Sequence, residues 1–268
     1  MWVILQKIEY YHINKYNYYI KPNVTQYINY NRMLRTFSDI KHAIYINLDS
    51  RVDRRELFEK QFEELQERYP PDFAFVPVPR FSAIRDETNG AIGCTKSHIE
   101  CLRIAKNNGW DHVLIFEDDA LLIHPEVLVH QVSSFLSRFR DEWDVVLFSG
   151  NNFPPFKIEA PDCFRIANCQ TTGCYLVCSR YYDTLLRNFE EGLAGLTANP
   201  GNAPVYACDA YWKQLQRADR WYLITPVCVI QRAGYSDIEK QEVNYEKLMT
   251  DLVKKPPPKP TTTTRMHM

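Results

Sequence analysis

Three consecutive carboxylates, Glu117, Asp118 and Asp119, follow directly on the apolar run Val113, Leu114, Ile115 and Phe116. The run is apolar at every position and too short for a helix, so it reads as a strand buried on both faces, with the acids at its carboxyl end. In open α/β sheets that edge is where ligands bind. Carboxylates packed there repel one another unless a hard cation or a cationic side chain neutralises them. The pattern points to a divalent metal holding a phosphorylated substrate; the competing reading is a set of acids that caps the next helix or lies solvated in a turn.

The elements that must position these acids alternate along the chain. Ala43 to Leu48 reads as a strand, and Ser50 with Asp53 resembles a capping box opening a helix with Phe58, Phe62, Leu65 and Tyr69 on one face. Phe73 to Val78 reads as the next strand. A polar loop through Arg85 to Gly90 leads to a helix from about Cys94, with His98, Cys101, Leu102 and Ala105 on one face, stopped by Asn107, Asn108 and Gly109. His124 and Pro125 open a helix with Leu128, Val132, Phe135 and Phe139 inward, and Asp144 to Phe148 returns as a strand. This β-α-β repetition predicts an α/β domain, a Rossmann-like, mostly parallel sheet with helices on both faces. Beyond Gly150 the spacing predicts a Pro-rich loop over Asn151 to Pro161, a strand over Tyr175 to Cys178 and a helix over Ser179 to Phe189. A long connection from Leu193 to Pro204, a short helix carrying Asp209, Tyr211, Trp212 and Leu215, and a strand over Val227 to Gln231 complete the pattern.

The chain has 268 residues, enough for one large α/β domain. Its 32 Lys and Arg nearly balance 33 Asp and Glu, a net charge of -1, so no basic field points to nucleic acid or an anionic membrane. The eight cysteines form no C-x-x-C pair, and Cys94, Cys101, Cys174, Cys178, Cys208 and Cys228 lie in apolar surroundings, which predicts reduced thiols. The opening MWVILQ is too short for a signal-peptide apolar region and no segment approaches a membrane span, so the expectation is a cytoplasmic protein without a transmembrane segment. Residues 1–40, rich in Tyr, Asn, Ile and Lys, read as an N-terminal extension whose composition hints at an AT-rich genome; residues 41–250 read as the folded domain, and residues 251–268, with the tract KKPPPKPTTTT, as a disordered tail.

Several segments in fixed order, YINLDSRVDRREL from Tyr45, IGCTKSHIECLRIA from Ile92, VLIFEDDALL from Val113, TTGCYLVCSR from Thr171, CDAYW from Cys208 and PVCVIQRAGYSDIE from Pro226, resemble glycosyltransferase family 25. That family includes lipooligosaccharide and collagen β-galactosyltransferases and has relatives in large viruses. The resemblance spans roughly residues 42–240. It implies a GT-A type fold, a UDP-galactose or UDP-glucose donor, inversion at the anomeric carbon, a hydroxyl acceptor on a glycan or protein, and a divalent cation, Mn2+ or a similar ion, held by the acidic motif. A metal there would stabilise the charge that accumulates on departing UDP. Asp119 is the first candidate ligand, joined by Glu117, while Glu117 or Asp118 would otherwise bind the ribose hydroxyls or a metal-bound water.

In the same resemblance Asn47, Leu48 and Arg51 line a uracil and ribose pocket, and Arg54 or Arg55 reaches a phosphate; a solvated basic helix start is the alternative. His98 lies in an apolar stripe that suits a core histidine better than a catalytic one. Gly173 would let backbone approach the donor sugar, or simply start a strand. Ser236 and Asp237 would close over the pyrophosphate or complete the metal shell, or cap a surface turn. Asp209 is the candidate general base, with N-capping of its short helix as the competing account, and Tyr211 and Trp212 beside it are candidates to stack on a sugar ring. Two other classes place acids at a strand end: a metal-dependent nucleotide phosphohydrolase or nucleotidyltransferase, and a non-catalytic sugar-nucleotide-binding module.

Overall fold

The computed structural model describes residues 33–252 and residue 254; the expectations for residues 1–32 and for the Pro and Thr tract fall outside them. The first half runs β1 (Ala43–Asn47), α1 (Val52–Arg68), β2 (Arg80–Ser82), α2 (Gly90–Asn107), β3 (His112–Glu117), β4 (Ala120–Leu122), α3 (Pro125–Phe139) and β5 (Val145–Leu147). Then come β6 (Asn151–Asn152), β7 (Phe156–Ala160), β8 (Cys163–Ile166), β9 (Cys169–Gln170), β10 (Cys174–Cys178) and α4 (Tyr182–Ala198). The chain continues through α5 (Ala203–Tyr206), α6 (Cys208–Tyr211), α7 (Lys213–Ala218), β11 (Trp221–Ile224), β12 (Val229–Gln231), β13 (Gly234–Ser236), β14 (Gln241–Val243) and α8 (Glu246–Thr250).

Eight strands form the main sheet in the order β2-β1-β3-β10-β5-β11-β8-β7. β2, β1 and β3 are parallel, as are β5 and β11, whereas β10 and β8 run antiparallel to both of their neighbours. Six strands therefore point one way and two the other, which is the mostly parallel α/β sheet expected.

Strand alternation sorts the core into two layers. Phe116 and Tyr45 face α1, where Tyr45 stacks on Phe58 and Phe116 meets Phe58 and Phe62 edge-on. Tyr222 faces α3 through Phe135 on that same side. Tyr175 points the opposite way, toward His98 of α2 and Trp212 next to α6. Helices thus cover both faces. Local chemistry sets their ends: the Asn89 side chain accepts the Ala91 N–H at 2.8 Å to cap α2, Gly109 at φ 65° lets the chain turn after it, and Pro125 opens α3. No helix among the described residues is long and apolar enough to cross a membrane.

Several expectations change. Residues 73–78 form turns rather than a strand, because Pro77 and Pro79 cannot donate to a ladder, yet Phe73 and Phe75 still reach the core. Ser50 does not cap α1; Arg51 occupies the cap position without a capping bond, and Asp53 accepts from the Arg51 guanidinium. α2 begins at Gly90, ahead of Cys94. The expected loop over 151–161 contains β6 and β7, with β7 and β8 forming an edge hairpin. α4 continues through Ala198 and leaves only a short connection to α5. β12 pairs with β4 outside the main sheet, while β11, which the pattern missed, is fully buried inside it. Leu34, Phe37 and Ile40 belong to the core, so residues just before the expected boundary at 41 are packed.

Candidate functional site

β1 and β3 are parallel neighbours with Ile46 opposite Glu117, so Asn47 and Leu48 leave the sheet beside Asp118 and Asp119 at its carboxyl edge. Asn47 Nδ2 donates to Asp118 Oδ2 at 2.7 Å. Arg54, in the first turn of α1, places Nη1 3.0 Å from Asp118 Oδ1 and 3.0 Å from Asp119 Oδ2, and its Nη2 donates to the Tyr235 carbonyl at 2.8 Å. Arg51 donates to Asp237 Oδ2 at 2.5 Å. The basic start of α1 therefore ties the acids to the β13–β14 hairpin. The Arg232 N–H donates to the Asp119 carbonyl at 2.7 Å, which anchors the approach to that hairpin.

The three acids differ electrostatically. Burial and the neighbouring Glu117 charge push the Asp119 carboxyl up to about 7 against the pull of Arg54. Burial also raises Asp118, opposed by Arg54 and Asn47. At half-buried Glu117 desolvation acts the same way, but bonds from His98 and from the Thr172 hydroxyl hold it below the usual carboxylate range. Asp118 has a donor on each oxygen, whereas Asp119 Oδ1 is buried and takes no hydrogen bond. A buried carboxylate oxygen without a donor, flanked by further carboxylates, suits a hard divalent cation. The residues fit such an ion.

These groups open on a cavity of about 640 Å³. Leu48, Arg51, Arg54 and the three acids line it, and Ser236 and Asp237 line it from the hairpin. Asp209 joins them from α6. Its Oδ2 accepts the Thr171 N–H at 3.1 Å, and α6 has Ala207 at its cap position, so Asp209 does not N-cap its helix. Burial pushes its carboxyl above the ordinary range, against the Thr171 bond. Ser236 Oγ also accepts the Glu239 N–H at 3.1 Å, so it closes a turn while facing the cavity.

Three expected site residues are not on the cavity wall. Arg55 turns outward and pairs with Glu59 at 3.0 Å. Asn47 lies buried behind Asp118, holding it rather than lining the pocket. Gly173 packs inside: its carbonyl accepts the Glu117 N–H at 2.9 Å, and a Cβ there would stand 3.0 Å from Ser149 Oγ. Trp212 is also unavailable for stacking on a sugar, because it is fully buried and donates to the Cys169 carbonyl at 2.9 Å. Sequence reasoning missed Thr172 as a partner of Glu117 and Arg54 as the bridge between Asp118 and Asp119. It also undervalued His98, which lies 3.3 Å from Glu117.

A search of curated proteins found no match. Among solved structures, a glycosyltransferase involved in glycosylation of the major capsid of PBCV-1 aligns at 11% identity and TM-score 0.47, over 74% of this chain and 95% of that one. A Drosophila galactosyltransferase 7 mutant in complex with manganese, UDP-Gal and xylobiose aligns at 11% identity and TM-score 0.34, over 55% and 52%. The family model for glycosyltransferase family 25 (LPS biosynthesis protein) matches residues 79–159, the segment that carries α2, β3 and the acidic cluster. The resemblance to glycosyltransferase family 25 that the motifs carry is thereby borne out over that segment.

Proposed function

We propose that the protein is a metal-dependent glycosyltransferase that moves a hexose from UDP-galactose or UDP-glucose to a hydroxyl of a glycan or protein, with inversion at the anomeric carbon. The observation that carries this reading is the cavity itself, where Asp119, with its unpartnered Oδ1, shares a wall with Arg51 and Arg54 while Asp209 enters from a separate element. Asp119 and Glu117 would hold the cation, which when bound supplies Lewis-acid stabilisation to a diphosphate leaving group. Arg51 and Arg54 offer guanidinium forks that suit phosphate oxygens. Leu48 would seat the nucleoside, and Asp118, locked by Asn47 and Arg54, would orient the ribose. Ser236 and Asp237 would cover the pyrophosphate. Inversion requires a base on an element other than the one holding the leaving group, and Asp209 on α6 would accept the proton of the attacking hydroxyl. Arg55 and Gly173, off the wall, carry no role in this reading.

The test combines calorimetry with turnover. UDP should bind with Mn2+ and lose affinity under EDTA, and Asp119→Asn should weaken this metal-dependent binding more than Asp118→Asn does. UDP release from the donor sugar should require a hydroxyl acceptor. Equal UDP affinity in EDTA would remove the metal from the reading, and acceptor-independent release of UDP would make the protein a phosphohydrolase.

A further inference from the structure

The cavity also holds a cluster whose chemistry differs from that of the acids. Cys94 and His98 lie four residues apart on α2 and so share one face of that helix. A sulfur of Cys94, a ring nitrogen of His98 and a carboxylate oxygen of Glu117 all lie within 4.8 Å of one another. Cys208, the first residue of α6, is on the wall of the same cavity. All four residues line the cavity. Cys94 is half-exposed there, whereas the other seven cysteines are buried.

The surroundings of His98 fit ligation. Its Nδ1 lies 2.8 Å from the Tyr175 hydroxyl, a fully buried group on β10, which fixes the ring and leaves Nε2 facing Glu117. Metal-bound imidazoles are ordinarily held in this way through the other nitrogen. The donor set decides the ion: thiolate and imidazole favour zinc-class cations over the magnesium and manganese that prefer all-oxygen sites, and such cations take four ligands.

We propose that Cys94, His98 and Glu117 form a binding site for a zinc-class divalent cation, with the fourth coordination position open to the cavity, distinct from the oxygen-rich position at Asp119. Ligation replaces the Cys94 thiol proton, released to solvent, with a metal–sulfur bond. Because the ligands come from α2 and β3, the ion ties these two elements together at the cavity. It also engages Glu117, so its occupancy governs how far that carboxylate is free to serve the neighbouring acids.

The experiment titrates the reduced full chain with Co2+ alone, following sulfur-to-cobalt charge transfer in the near ultraviolet and the visible bands of a tetrahedral ion. The expected result is saturation at one equivalent with both signatures, and their loss when Zn2+ is added. Cys94→Ser should abolish the charge-transfer band, His98→Gln should weaken affinity by about tenfold or more, and Asp119→Asn should leave the spectrum intact. His98 is fully buried, so its variant is checked for folding by circular dichroism; Cys94→Ser, at a half-exposed position, decides the case. A spectrum without charge transfer, a band that survives in Cys94→Ser, or a band lost in Asp119→Asn overturns the proposal. No sugar nucleotide is present in this assay, so its failure and a failure of the transferase reading are separately visible.

Discussion

At the scale of single residues, the site is organised by which carboxylate oxygens have donors. Asp209 accepts one backbone N–H, and burial raises its carboxyl. In the proposed role of base it loses its charge as pH falls through the raised value, so transfer should decline on the acid side at a higher pH than an ordinary aspartate would give. Asp209→Asn should cut turnover by about 10²- to 10⁴-fold and remove that acid limb, while UDP-sugar affinity and folding stay nearly intact. Near-normal turnover, or loss of UDP binding together with turnover, would assign Asp209 a structural role. Arg54 is a second case. Its guanidinium bridges Asp118 and Asp119 where all three side chains are mostly buried, at 16%, 10% and 11% exposure. Removing it leaves two raised carboxylates without their cationic partner, so Arg54→Met should cost about 3 kcal/mol in the metal-free protein. Added Mn2+ should then raise the melting temperature of the variant more than that of the parent, because the ion takes over the neutralisation. Equal shifts in the two proteins would mean that Arg54 and the cation do not share the acids.

At the scale of elements, the cavity depends on how closely α2 approaches the loop that precedes it. An ideal Cβ on Gly93 would lie 2.3 Å from the Ile84 carbonyl oxygen and 3.0 Å from the Asp86 backbone nitrogen, both main-chain atoms with little room to move. Gly93→Ala should therefore destabilise the protein by about 1–3 kcal/mol and displace the residue 84–86 wall of the cavity, a change readable by melting temperature and by UDP affinity together. An unaffected melting temperature would show that α2 can slide. Gly93 stands out in the sequence only as part of IGCTKSH; the atom that makes it necessary lies on another segment. The same holds for much of the site. Glu117 to Asp119 were legible because an apolar strand ends in them, and His98, Cys101, Leu102 and Ala105 because their spacing is helical. Tyr175, whose hydroxyl meets His98, and Thr172, whose hydroxyl meets Glu117, were not, since β10 reaches β3 only through antiparallel pairing. β11 escaped detection because Trp221–Ile224 is short and buried on both faces, so no alternation marks it. Residues 73–78 misled in the opposite sense: their apolar side chains do reach the core, but the prolines keep the backbone out of the sheet.

At the scale of the whole molecule, the sheet sets one carboxyl edge as the working end, and the chain returns to that edge after completing the sheet. β12 pairs with β4 immediately after the acids, and β13, β14 and α8 follow it. α8 inserts Met249, fully buried, whose sulfur accepts the Gln231 N–H at 3.4 Å; Gln231 in turn lines the cavity. Lys254 still makes a contact, its ammonium 5.0 Å from the Phe153 ring centroid. The residues beyond it are dominated by Pro, Lys and Thr, a composition poor in apolar area. Two truncations should therefore differ sharply. A chain ending at residue 254 should keep the parent's melting temperature and UDP affinity. A chain ending at residue 244 loses Met249 from the core, which should cost about 2–5 kcal/mol, and it loosens β12 beside Asp119, so UDP affinity should fall along with stability. A large loss in the chain ending at residue 254 would show that the Pro and Thr tract docks on the domain; an unchanged chain ending at residue 244 would show that α8 is not part of the cavity's support.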